Sequence, residues 1–279
     1  MSHSSLRIAV ASGKGGTGKT TVSVALAEAW GDPIQLLDCD VEEPNAALFL
    51  KPEIQSTEKV FLSLPEIDTD RCRGCGQCVK FCQFNALAVA GGKAMVFSEL
   101  CHSCGGCARI CPERAIREAP WSIGMIRKGL SGSIQWIEGC MDIGYTMAPW
   151  VIREVLQARD PALPLIIDSP PGTSCAMVTA VSSADYVLLV TEPTPFGLHD
   201  LILAVETIRG MNKNFAVIIN RSGSGSDCVE KYCKQERIEI ILRIPISRKV
   251  AEAYSVGSSL IKAEPSLLEP FRKILASLV

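Results

Sequence analysis

The stretch LRIAVASGKGGTGKTTVSVALAEAW, residues 6–30, decides the fold. It opens with five apolar or small residues in a run, the pattern of a strand buried on both faces. It then breaks into glycines and continues as TVSVALAEAW, a helix-forming run. The break, GKGGTGKT over residues 13–20, fits the spacing GxxxxGK[ST] in the strand, loop, helix context that this motif requires. Gly13, Gly15, Gly16 and Gly18 leave the backbone free to curl, so that the amides from Gly13 through Thr17 to Thr21 can point at phosphate oxygens. Lys19 is placed to neutralise the β- and γ-phosphates of a nucleotide, and the Thr20 hydroxyl to reach Mg2+.

Further apolar runs follow along the chain. Strands are expected near 6–11, 34–38, 163–168, 185–191, 214–219 and 239–244, alternating with helical segments. That alternation predicts an α/β fold, a doubly wound and mostly parallel sheet with its ligand at the carboxyl ends of the strands. Two of these ends are acidic. IQLLDCDVEEPN (34–45) carries Asp38 and Asp40 at alternate positions, hence on one side, and LPLIIDSPPGTS (163–174) ends its strand on Asp168.

With Lys14 added, the loop reads KGGxGKT, which resembles the deviant P-loop of the family that includes the MinD and ParA ATPases, the nitrogenase iron protein and the Mrp-type iron-sulfur ATPases. The resemblance implies ATP or ADP as ligand and a nucleotide-sandwich homodimer. In it Lys14 reaches the partner's phosphates, and Lys14, Lys19 and Asp40 are the catalytic set. Asp40 orients the attacking water; Asp38 is structural or linked to Mg2+. Thr20, Asp40 and Asp168 surround Mg2+, with Asp168 as the Walker B carboxylate and Gly172 and Thr173 in switch II. The resemblance also places Asn220, in FAVIINR (215–221), at the adenine edge with Arg221 beside it. Val41-Glu42-Glu43-Pro44 departs from the Pro-Gln pair usual in ParA.

Eight of the thirteen cysteines form an internal repeat between the second and third expected strands. Cys72, Cys75, Cys78 and Cys82 are repeated as Cys101, Cys104, Cys107 and Cys111, each 29 residues on, and Asn85-Ala86-Leu87 repeats as Arg114-Ala115-Ile116. ALAVAGGKAMVF between the halves has the pattern of a hairpin around Gly91-Gly92. Residues 65–119 resemble the bacterial two-cluster ferredoxin, an α+β unit inserted into an ATPase domain made of 1–64 and 120–279. The resemblance implies one 4Fe-4S cluster on Cys72, Cys75, Cys78 and Cys111, and another on Cys101, Cys104, Cys107 and Cys82. Structural zinc is the competing reading, but zinc motifs pair CxxC units over a longer gap. Pro112 follows Cys111 as that pattern expects; Gln83 follows Cys82 and is expected to alter the turn without costing a ligand. Cys39 is expected to be a small buried hydrophobe, and Cys140, Cys175, Cys228 and Cys233 show no ligand spacing.

Composition limits the partners. A net charge of −2 gives no basic footprint for nucleic acid. MSHSSLRIAV shows no signal-peptide pattern, and no apolar run approaches the ~20 residues of a spanning helix, so a cytoplasmic protein off the membrane is expected. PSLLEPFRKILASLV has too few basic residues for a membrane-surface helix and is expected to pack on the sheet. His199 is expected on a helix surface, and 122–144 has a hairpin-like character without assignable chemistry. These features predict an ATPase that gates two clusters for an electron or cluster acceptor protein. A non-catalytic cluster carrier is the alternative, and a positioning ATPase of the MinD or ParA kind is the reading favoured least.

Overall fold

A computed structural model describes residues 6–223 and 225–278. Residues 1–5, the start of the stretch read above as free of a signal peptide, lie outside it.

The strands are β1 (Arg7–Ala11), β2 (Ile34–Asp38), β3 (Glu53–Ile67), β4 (Leu87–Ala90), β5 (Lys93–Val96), β6 (Ile116–Ser131), β7 (Ile134–Met141), β8 (Leu165–Asp168), β9 (Tyr186–Thr191), β10 (Asn214–Ser222) and β11 (Ile240–Pro245). Nine of them form one sheet in the order β11-β10-β9-β1-β8-β2-β7-β6-β3, while β4 and β5 pair separately. From β11 to β7 every pairing is parallel; β7-β6 and β6-β3 are antiparallel. All six expected strands are present. A seventh parallel strand, β7, extends the run, because the hairpin-like stretch turns at Gly132 (φ 60) and lays its second arm beside β2.

Helices cover both faces. On one, α1 (Lys19–Trp30) and the C-terminal helix pack over Ile8, Val10, Leu36, Trp136 and Ile166. On the other, four helices bury Val151, Val181, Val205 and Cys233 against Ala9, Leu37, Ile137 and Ile167. In chain order the remaining helices are α2 (Ala46–Leu50), α3 (Gln77–Phe81), α4 (Gly106–Ile110), α5 (Ala148–Gln157), α6 (Cys175–Ser182), α7 (Pro195–Gly210), α8 (Cys228–Gln235), α9 (Arg248–Ser255), α10 (Leu260–Ala263) and α11 (Leu268–Leu278). The alanine-rich α1 stops where Gly31 takes the left-handed conformation (φ 85). Phe271, Ile274 and Leu275 of α11 lie in the same core as α1, so its apolar face is internal. Among the described residues no helix is long and apolar enough to cross a membrane.

The cysteine segment grows out of the sheet's edge. β3 pairs with β6 from Glu53↔Leu130 to Ile67↔Ile116, but β7 accompanies β6 only from Gly124 to Ser131. Beyond Gly124 the two strands continue as a ribbon, and they run through residues 64/65 and 119/120, where the sequence suggests domain boundaries. The 29-residue repeat is also conformational. Gly74 and Ser103 (φ 66 and 52), Gly76 and Gly105 (φ 72 and 69), and Asn85 and Arg114 (φ 55 and 49) are all left-handed. Cys82 (φ −70, ψ 110) and Cys111 (φ −68, ψ 114) match as well. Gln83 therefore leaves the backbone at Cys82 unaltered, contrary to expectation: the extended conformation that proline imposes on its predecessor is reached here without it.

Candidate functional site

The loop after β1 curls as its glycines allow. Gly16 and Gly18 are left-handed (φ 76 and 96), and a Cβ on Gly13 would collide with the backbone of Asp200 in α7. The Ser12 hydroxyl donates to the Lys14 carbonyl (2.6 Å), and the Gly172 N–H donates to the Ser12 carbonyl (3.0 Å), so the turn after β8 touches the loop directly. Gly15, Gly16, Gly18, Lys19, Thr20 and Thr21 line one wall of a cleft of about 700 Å³. The N-terminus of α1 faces that cleft with its free amides and positive dipole end, a natural seat for phosphate. Thr17 Oγ1 and Asp168 Oδ2 are buried beside it with no hydrogen-bond partner among the described residues. An unpartnered buried carboxylate oxygen on a side chain that the Thr20 hydroxyl also reaches suits a divalent cation's donor set.

Three carboxylates form a row across neighbouring strands: Glu138 of β7 stands in register with Asp38 of β2, and Asp38 with Asp168 of β8. All three are buried. Asp168 Oδ1 accepts from the Ser23 hydroxyl of α1 (3.1 Å). Asp38 accepts three backbone N–H groups, from Asp40 (3.2 Å), Asn45 (3.0 Å) and Ala46 (2.9 Å). Asp38 and Asp40 therefore part roles: the first pins the loop, and the second lines the cleft. Glu138 is paired with Arg127 of β6, whose guanidinium also lies over the Trp136 ring. Burial pushes Asp168 and Asp40 up to about 6, against the pull of Lys19. Burial, then Asp168, raises Asp38 well above the usual carboxylate range, and burial raises Glu138 against Arg127. Glu138 was not anticipated; a lone acid inside the apolar strand IQWIEGC was the available signal.

Lys14 lies 3.6 Å from Glu192, which also pairs with Arg221. Glu192, at the end of β9, is the second residue that sequence reading passed over. Asn220 and Arg221 line the cleft, but the Asn220 amide is engaged within the chain: Nδ2 donates to the Thr17 carbonyl (2.7 Å), and Oδ1 accepts from the Arg221 N–H (2.9 Å). Asn220 thus anchors the phosphate loop, and its amide keeps a second N–H and a second lone pair beyond these two bonds. The far wall of the cleft, Ile244 to Ser247 with Tyr254, was not expected. His199 is exposed on α7, and Cys39 is fully buried.

The eight repeated cysteines divide between two cavities. One is lined by Cys72, Cys75, Cys78 and Cys111, the other by Cys82, Cys101, Cys104 and Cys107. Each set draws three cysteines from one half of the repeat and the fourth from the other. The first is polar at its rim, with the Arg73–Glu113 pair (2.9 Å), and the N–H groups of Ala94 and Ala115 donate to Cys72 Sγ and Cys111 Sγ (3.3 Å each). The Ala94 amide, followed by that of Gly74, lowers the Cys72 pKa. The second is walled by Phe81 and by Phe84, whose ring stacks on His102 at 3.8 Å; burial pushes Cys107 up to about 11. Among the described residues no three His, Cys, Asp or Glu side chains converge on a single-ion position. Four thiols around one cavity, with amides aimed at sulfur, suit a polynuclear iron-sulfur group. Cys228 and Cys233 lie on α8 with Cys233 buried, away from both sets.

Residues 8–261 match the family described as the CobQ/CobB/MinD/ParA nucleotide binding domain. An uncharacterized protein of Methanocaldococcus jannaschii is 34% identical over 223 residues, 78% of this chain and 79% of that one. An iron-sulfur cluster carrier protein of Pyrococcus abyssi is 26% identical over 279 aligned residues, 91% and 79% of the two chains. The septum site-determining protein MinD of Pyrococcus horikoshii, solved with Mg-ADP, superposes with a TM-score of 0.58 at 19% identity, covering 98% of this chain and 96% of that one. The nine-stranded architecture, the glycine loop at its centre and the match along nearly the whole length agree: this chain belongs to the CobQ/CobB/MinD/ParA family of nucleotide-binding proteins.

Proposed function

We propose that this protein is an ATP-hydrolysing iron-sulfur protein, working as a nucleotide-gated homodimer that couples ATP to electron transfer, or to metal-cofactor assembly, on a partner protein. One observation carries the reading: a single chain holds a phosphate-binding cleft and two cavities each lined by four cysteines. The loop amides and Lys19 bind the phosphates. Thr20 and Asp168 would hold Mg2+, whose charge stabilises the phosphate oxygens when bound. Asp40 orients a water for in-line attack on the γ-phosphorus; the bond to the bridging oxygen breaks and ADP leaves. Lys14, freed from Glu192, adds positive charge across a dimer. The two cysteine sets would hold 4Fe-4S clusters, which supply one-electron chemistry when bound, and residues 65–119 would act as an inserted ferredoxin-like unit.

A second reading is a carrier that surrenders its clusters and uses nucleotide only as a clamp. The name of relatives such as the Pyrococcus abyssi iron-sulfur cluster carrier protein favours it. Anaerobic potentiometry with and without ATP, combined with incubation against an apo-acceptor, separates the two. Retained clusters with a nucleotide-dependent potential are expected; an unchanged potential with clusters appearing on the acceptor would establish the carrier.

A further inference from the structure

The two cysteine cavities are not equally connected to the nucleotide-binding body. Cys101 lies in the same core as Leu37, Val41 and Ile137, and Cys82 packs at its margin. The Ser103 hydroxyl donates to the Ser63 carbonyl of β3 (2.6 Å). Cys72 and Cys78 lie instead in a smaller core with Leu87, Ala94 and Ile116, which Cys107 of the second set shares and Cys82 also borders, so the second set spans both cores and the first set lies in the smaller one. The polar contacts described around the first set stay within the segment: Lys93 Nζ donates to the carbonyls of Thr69 (2.6 Å) and Cys72 (2.7 Å), and Arg73 pairs with Glu113.

One stretch, residues 141–147, touches both the loop that carries Asp40 and the segment that enters Cys101. At its start the Met141 N–H donates to the carbonyl of Val41, the residue after Asp40 (2.8 Å), and the Asp142 N–H to that of Ile123 in β6 (2.9 Å). At its far end the Tyr145 hydroxyl accepts from Trp121 Nε1 of the ribbon, and the Thr146 hydroxyl donates to the Glu99 carbonyl (3.5 Å). Met141, Tyr145 and Met147 pack against the shared core on either side of a turn at Ile143-Gly144, which holds the ends of the stretch in place. A covalent chain anchored at both ends transmits displacement. If the Asp38-pinned loop shifts when a γ-phosphate arrives, Met141 either loses its bond to Val41 or moves with it.

We infer that the Cys82, Cys101, Cys104 and Cys107 site is the nucleotide-responsive one, and that residues 141–147 are the strap through which the Asp40 loop acts on it. This rests on the proposed nucleotide-gated iron-sulfur function and adds which site is gated and by what.

The test uses the full-length protein purified anaerobically with its native clusters, in redox titrations followed by electron paramagnetic resonance with no nucleotide, with ADP and with a non-hydrolysable ATP analogue. Cys104→Ser and Cys75→Ser each change the exposed ligand of one set and so mark that site's signal. Where a variant loses its cluster, the surviving signal identifies the other site by elimination. The nucleotide-induced shift in potential is expected on the signal that Cys104→Ser alters. A shift confined to the signal that Cys75→Ser alters, an equal shift on both, or none on either while nucleotide still binds overturns the inference. Absence of nucleotide binding or of clusters in the unmodified protein defeats the proposed function itself, and the inference with it. The double variant Tyr145→Phe, Thr146→Val removes both side-chain links of the strap; it is expected to bind and hydrolyse ATP normally but to lose the shift, and a retained shift overturns the strap.

Discussion

Asp38 offers the sharpest quantitative test of how the loop is held. Its carboxylate is fully buried and accepts three backbone N–H groups, those of Asp40, Asn45 and Ala46. Asp38→Ala strands these donors. An unsatisfied buried donor costs about 1–3 kcal/mol, and only Ala46 lies in a fully buried residue, so a net loss of about 2–4 kcal/mol is expected. Asp38→Asn behaves differently. Burial and the neighbouring acids favour the neutral form of Asp38, which an amide imitates in shape and charge; its oxygen can keep the Asn45 and Ala46 donors while its NH2 faces the Asp40 N–H, so a smaller part of the loss remains. Because its folded pKa lies above the unfolded value, the native state binds more protons than the unfolded state in the window above about pH 4. Asp38 therefore lowers stability as pH rises through that window, by about 1.4 kcal/mol per pH unit for one proton. Asp38→Asn carries no such proton, so its stability relative to the unaltered chain should improve as pH rises. Urea unfolding of the three proteins at several pH values between about 4 and 7 measures this, with ΔG taken from the midpoint and slope. Equal stability of Asp38→Ala and the unaltered chain would refute the pinning role. A difference between Asp38→Asn and the unaltered chain that does not vary with pH would refute the neutral carboxyl.

Three other outcomes are expected. Asp40 and Asp168 both stand at about 6, so they protonate below that pH in the nucleotide-free protein, and Mg2+-dependent nucleotide binding should fall on the acid side with a midpoint near 6. Binding that stays flat down to about pH 4.5, close to an ordinary carboxylate, would contradict it. Lys19→Ala should abolish nucleotide affinity, whereas Lys14→Ala should retain affinity in equilibrium titration and lose hydrolysis by about 10²-fold or more, as for loss of a transition-state charge. Cys78→Ala and Cys107→Ala should each remove about four of about eight irons per chain by metal analysis, one cluster each; loss of all iron from either would show that the sites do not form independently.

Much of the fold was legible because buried parallel strands announce themselves. RIAVA, LIID and YVLLVT each hold an apolar run of three or more residues, and their spacing around helices leaves little choice of architecture. β7 escaped because IQWIEGC carries a buried glutamate that disguises its burial; Arg127, eleven residues earlier and on the adjacent strand, supplies the charge that makes Glu138 tolerable there. β3 escaped because EIQSTEKVF is largely exposed and polar, as an edge strand of an antiparallel ribbon is. The far wall of the cleft, from Ile244 to Tyr254, carries no motif at all, since it is assembled by proximity.

The phosphate loop, the cysteine repeat and the alternation of strands and helices can be read from the chain alone, because each is a matter of short spacing along it. Only packing in three dimensions shows which acids share a row, that Asn220 serves the loop and Glu192 holds Lys14, and that, among the described residues, the cavity of Cys82, Cys101, Cys104 and Cys107 is the one that borders the nucleotide-binding core. The reason is physical: charge pairing, amide satisfaction and shared packing depend on which distant segments lie side by side, and register and topology, not local spacing, fix that.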